Sequence, residues 1–185
     1  MKIKYFLIAF FIVLIPIAVV ANEIKYQDEP TKEAANLVTK YALSDDNAER
    51  DNYLKQLEEM AEKNPSNNNV RNMYANILLA ERKYFLGLHQ LQLINKETPK
   101  PGSKLTECML LERTGKDAGD CYREAVSLFE KNNENDDNYV MALYLSNNPK
   151  FEAKKNELMK KGKLENEGEN IFSLNRNELI NSIFP

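Results

Sequence analysis

Residues 66–99, SNNNVRNMYANILLAERKYFLGLHQLQLINKETP, decide the fold. Val70, Met73, Tyr74, Ile77, Leu78 and Glu81 recur at helical spacing, with only Glu81 polar. That pattern predicts an amphipathic helix. Tyr84, Leu88, Leu91 and Ile94 predict a second helix over 83–96, with Phe85 and Leu86 extending its apolar face. Pro99 closes this pair, and Pro65 closes whatever precedes it, because a residue before proline leaves the helical region. The two prolines stand 34 residues apart.

Working outward, the same periodicity continues. Ala34, Leu37, Val38, Tyr41 and Ala42 predict a helix over 31–43. Tyr53, Leu54, Leu57, Met60 and Ala61 predict another over 47–63, after a Ser44-Asp45-Asp46 turn rich in capping residues. Beyond the Thr98–Gly102 break, helices are expected over 103–113, 118–132, 139–145 and 151–161. The stretch 162–168 is charged and weakly patterned. Ser173 is the expected cap of a last helix, 174–184, whose Leu179, Ile180 and Ile183 form a narrow covering stripe. Alternating strand patterns are absent after residue 21. The expected fold class is all-α: antiparallel helical hairpins over 31–161, then a tail over 162–185 with a capping helix.

The 34-residue interval is the period of the tetratricopeptide repeat, and the details of 66–99 agree with it. Ala75 and Gly87 fall where the family places small residues at a close helix contact. Tyr84 falls on an aromatic site, and Leu91 and Ile94 fall on core sites. The segment therefore resembles a degenerate tetratricopeptide repeat. Trp is absent, Tyr74-Ala75 stands for Leu-Gly, and Leu78 stands for a Tyr. In the preceding unit Tyr53 occupies the second small position. In the following unit Tyr122, Ala125 and Phe129 restore the pattern, with an insertion near Lys116. The resemblance covers 31–137 and is specific for 66–99. It implies a stacked superhelix whose inner helices line a groove. Asn69, Asn72 and Asn76 would then face that groove as partner-binding amides, which both donate and accept. A non-repeating helical bundle is the alternative architecture.

At the N-terminus, Lys2 and Lys4 precede a charge-free run over 6–20, and Val19 and Ala21 end it with a small-x-small cleavage pattern. This predicts a signal peptide over 1–21. The run makes about 22 Å of helix, short of a bilayer core of roughly 30 Å. The alternative is an uncleaved anchor in a bacterial inner membrane, the one case in which a membrane would be a partner. Cleavage would leave one domain over 22–185, exported to the bacterial periplasm or secreted. That chain has 23 basic and 28 acidic residues. Such a balance disfavours a nucleic acid, which needs a basic surface. Cys108 and Cys121 flank a Thr114–Asp117 turn, so export predicts a disulfide between two hairpin helices; buried free thiols are the alternative.

Chemistry-bearing motifs are sparse. The sequence holds no Gly-rich phosphate loop, no Gly-x-Ser-x-Gly turn and no metal-ligand spacing. His89 is expected on a solvated helix face, and Glu58-Glu59 and Asp136-Asp137 on a helix face and in a loop as solvated charges. No catalytic residue, metal or cofactor is expected. Together these readings point to a non-enzymatic adaptor that binds a protein or peptide. An immunity protein that neutralises a toxin is the alternative, and a cell-wall-acting helical enzyme is the second.

Overall fold

The computed structural model describes residues 28–162 and 171–185. The signal-peptide expectation for 1–21 and most of the charged stretch lie outside those residues. The described residues form nine α-helices and no strand. They are α1 (Glu29–Leu43), α2 (Asn47–Lys63), α3 (Asn68–Ala80), α4 (Tyr84–Glu97), α5 (Pro101–Arg113), α6 (Gly119–Lys131), α7 (Asp137–Leu145), α8 (Phe151–Lys160) and α9 (Arg176–Ile183). Each of the first eight packs on its neighbour in sequence, and α1 also packs on α3.

Local chemistry sets the starts. Asp28 accepts from the Thr31 N–H at 2.8 Å, Asp46 from Ala48 and Glu49, and Asn67 from Asn69 and Val70. Each satisfies donors that a helix leaves unpaired in its first turn. Asp136, expected in a loop, caps α7 by accepting from the Tyr139 N–H at 2.9 Å. Helix α5 begins earlier than expected, at Pro101, because proline suits the first helical turn, where its missing N–H costs nothing. The expected Ser173 cap is also corrected. Asn175 caps α9, its side chain bonding the Glu178 N–H while the Glu178 carboxylate accepts from the Asn175 N–H. This reciprocal pair satisfies two donors where Ser173 would start the helix too early.

Helix α3 divides the interior. Its Val70, Tyr74 and Leu78 join Leu37, Leu57 and other residues of α1 and α2 in one core. Its Ala75 faces the other way, into a larger core built by α4 to α7 and α9. The α3–α4 contact is close because position 87 lacks a side chain. A Cβ there would lie 2.5 Å from Leu79 Cδ2 and 3.1 Å from Leu79 Cγ. Gly87→Leu should therefore overpack the seam and lower stability by about 1–3 kcal/mol. An unchanged urea midpoint would show that the seam can open freely.

Helix α9 lies across a seam and does not sit on the last hairpin. It packs against α5, and Leu179, Ile180 and Phe184 enter the larger core. Arg176 donates to the Leu145 carbonyl of α7 at 2.7 Å and to both Glu112 oxygens of α5. Tyr84 of α4 donates to the Pro185 carbonyl, and its ring meets Phe184 edge-on. Helix α8 is held separately, with Leu158 buried against Val140 beside Phe151 and Phe172.

Candidate partner-binding surface

Three large apolar side chains are exposed among the described residues: Leu43, Phe85 and Leu86. Phe85 and Leu86 correct the expectation that they extend the buried face of α4. At about 100° per residue, Leu86 lies roughly 160° around the helix from Leu88, so a helix that buries Leu88 turns Leu86 outward. Phe85 stands in the first turn of α4, next to Tyr84, which packs against the larger core, and is 68% exposed. Helical spacing alone assigns a side chain to a face; it does not say where along the helix the neighbour ends.

Of the three, Leu86 borders a groove. A recess of about 300 Å3 is lined by Asp51, Leu54, Lys55 and Glu58 of α2, Tyr74 and Leu78 of α3, Lys83, and Leu86. An adjoining recess of about 290 Å3 shares Asp51 and Leu54 and continues to Tyr41, Asn47, Arg50 and Glu81. Leu43, two residues beyond Tyr41 at the end of α1, lies roughly 160° around the helix from it, and neither Leu43 nor Phe85 lines either recess. The floor is apolar and buried, with Leu54, Tyr74 and Leu78 all nearly inaccessible. The walls are charged.

The two ends of the groove differ. At one, the Tyr41 hydroxyl donates to the Glu81 carboxylate, and Arg50 donates to Glu81 at 2.6 Å and to the Tyr41 oxygen at 2.8 Å. Arg50 also lies over the Tyr41 ring, 4.7 Å from its centroid. Burial and the Glu81 carboxylate push the Tyr41 hydroxyl above its ordinary pKa. Glu81 was the one polar member of the α3 stripe, and this network explains it: it ties α1, α2 and the end of α3. Toward the other end, burial and the nearby Glu58 raise the Tyr74 hydroxyl. Asp51, Lys55 and Lys83 have no ion-pair partner among the described residues.

The α3–α4 turn carries part of this wall. Arg82 holds φ 56°, with its N–H on the Leu79 carbonyl and the Lys83 N–H on the Leu78 carbonyl. Gly or Asn normally fills such a left-handed site, since a Cβ is disfavoured there. The turn that aims Lys83 and Leu86 at the groove thus contains a conformationally unfavourable Arg.

The asparagine stripe fares differently. Asn69 and Asn76 are exposed, but Asn72 is half-buried and donates its amide to the Asn68 carbonyl at 2.8 Å. Asn69 borders a shallow recess with Asp28, Ser66, Asn67 and Asn68, and Asn76 borders none of the described recesses. His89 is exposed, as its helix position implied, and Glu59 pairs with Lys63 at 3.6 Å. Cys108 and Cys121 form the expected disulfide, with their Cα atoms 5.4 Å apart, joining α5 to α6.

A further cleft, about 360 Å3, lies between the α5–α6 turn, the end of α7 and Arg176. Its arginines are already engaged, Arg176 with Glu112 and Arg123 with Asp120. Among the described residues no group of three or more His, Cys, Asp or Glu could hold a metal ion, and no helix is long and apolar enough to cross a membrane. Comparison with family models, curated proteins and solved structures gave no match.

Proposed function

We propose that this chain is an exported, non-enzymatic helical-repeat adaptor of the bacterial envelope whose ligand is another protein. One observation carries the reading: exposed Leu86, with exposed Phe85 beside it in sequence, borders a groove with a buried apolar floor and a charged rim. Apolar surface grouped in this way is the usual mark of a protein-binding site. The pairing of consecutive helices and the close Ala75–Gly87 seam support a repeat-like stack, which offers extended surfaces to partners.

The repeat register also says which surface is open. In that register α3, α5 and α7 are the groove-lining helices. The chain's own α9 already packs on α5 and reaches α7 through Arg176. That side is therefore partly filled, whereas the recess between α2 and α4 is not. We assign binding to the latter and not to the asparagine stripe.

Capture from a native envelope extract tests this. Phe85→Ser with Leu86→Ser should weaken retention of a captured protein by ten-fold or more, at unchanged helix content. Asn72→Ala with Asn76→Ala should leave retention nearly intact, because Asn72 spends its amide on the helix backbone. Equal loss in both variants would move the contact to α3. Hydrolysis of purified cell wall by the chain would defeat the non-enzymatic reading.

A further inference from the structure

Beyond the α2–α4 groove, we propose that the face built by α4, α5 and α7 is a second binding site, which the chain holds closed with its own residues 174–185 and which opens to a short amphipathic helix of another protein. The way this strap is held carries the inference. Tyr84 of α4 donates to the Pro185 carbonyl at 2.5 Å, Arg113 of α5 to the Phe184 carbonyl at 2.7 Å, and Tyr144 of α7 to the Leu174 carbonyl at 3.1 Å. Arg176 donates in the other direction, to the Leu145 carbonyl. Among the described residues, these four are the hydrogen bonds that join a side chain to a main-chain carbonyl more than ten residues away, and all four hold the strap. Remote polar contacts among α1 to α8 run from side chain to side chain, as in Tyr41–Glu81, Arg71–Gln90 and Asn95–Glu107. The strap is thus gripped by its main chain, as a bound peptide is, with pockets for its side chains adding selectivity.

The seated strap displays the chemistry of the ligand. Arg176, Leu179, Ile180 and Ile183 stand at i, i+3, i+4 and i+7, the anchor spacing of a helix laid in a groove. Leu179, Ile180 and then Phe184 are buried in the larger core, and Arg176 pairs with Glu112. Asn177, Asn181 and Ser182 are exposed. The reciprocal Asn175–Glu178 cap lies inside the strap, but eight residues are too few to hold a helix alone in water, so α9 orders on the site. The ligand is accordingly a helix with arginine in its first turn, apolar residues three and four positions on, and an aromatic eight positions on. Exchange of straps between two copies gains nothing. Each strap already makes these contacts at the high effective concentration of a tethered segment, so exchange adds no contact and costs the freedom of one body. A foreign helix gives up no such contact of its own. Phe172 packs on Tyr144 and Phe151, which keeps the strap attached where it begins and close enough to compete.

The test uses the whole chain and a labelled synthetic peptide with the sequence of residues 171–185. Apparent affinity scales with the fraction of chains whose site is open, so weakening the strap should strengthen binding of the peptide. The Arg176→Ala chain should bind it at least ten-fold more tightly than the wild type, and Arg176→Ala with Ile180→Ala more tightly again. In the Arg176→Ala chain Glu112 has lost its arginine and can take that of the peptide. A peptide carrying Arg176→Glu should therefore bind that chain at least ten-fold more weakly. Circular dichroism should show no loss of helix beyond α9; where the double variant unfolds, Arg176→Ala alone decides. No saturable binding to the Arg176→Ala chain, equal affinity of the wild-type and variant chains, or equal affinity of the two peptides would overturn the proposal. So would loss of peptide binding on adding Phe85→Ser with Leu86→Ser, which would place the peptide in the α2–α4 groove. A dimer in sedimentation that the peptide dissociates would overturn it too, by giving the site to a second copy. Envelope capture that still depends on Phe85 and Leu86, beside a failed peptide test, would remove the second site and leave the α2–α4 reading standing.

Discussion

Tyr122→Ala should cost about 3–5 kcal/mol of folding stability, the range for truncating a large buried aromatic side chain. Tyr122 is fully buried in the larger core. Its hydroxyl donates to Glu112 Oε2 at 2.6 Å, and the Arg176 guanidinium lies 5.2 Å from its ring centroid. The same Glu112 carboxylate takes Arg176 through both oxygens, at 2.5 and 3.0 Å. The aromatic ring thus supports the ion pair that holds α9 on α5. Removing it opens a cavity and loosens the pair at once. Tyr122→Phe isolates the second effect. It keeps the ring and deletes one bond to a charged acceptor, for a loss of about 1.5 kcal/mol. The loss sits at the low end because Glu112 keeps Arg176 and is still 19% exposed, so water can replace part of the bond. Urea denaturation measures both variants. A Tyr122→Ala midpoint equal to the wild-type value would mean that the core collapses around the site and that α9 does not depend on it.

Replacing Cys108 and Cys121 together by Ala should lower stability by about 2–4 kcal/mol, since the bridge closes a loop whose ends are 13 residues apart. The bridge constrains the unfolded chain most directly at the α5–α6 hairpin, on which α9 and α7 both depend. The control is chemical. Reductant should lower the wild-type urea midpoint toward that of the double variant and leave the variant unchanged. Indifference of the wild-type midpoint to reductant would show that the hairpin holds by packing alone.

Both sites show what kind of information a linear pattern carries. The spacing of Tyr122, Ala125 and Phe129 was legible as one buried face, and all three are buried. The disulfide was legible because a short turn must bring its flanking residues together. Neither pattern contained Arg176, 54 residues further on, which completes the site by donating to Glu112. The groove behaves alike. Leu54, Tyr74 and Leu78 could be read as core from periodicity, and they are its floor. That Leu86 overhangs an open recess with Asp51, Lys55 and Lys83 around it could not be read.

The sequence by itself determined the helices. The period of apolar residues, the capping Asp and Asn side chains and the proline breaks act within a turn or two of the chain, so they are set before any distant contact forms. Helix α2 accordingly spans the residues its pattern marked, Asn47–Lys63. Tertiary structure alone decided which edges of those helices stay open. It split the core on the two faces of α3, laid α9 across α5 and closed Tyr41, Arg50 and Glu81 on one another. The physical reason is range. A helix is specified by neighbours three and four residues away, whereas exposure depends on where a partner helix ends, and that is settled by the packing of segments that are remote in the chain.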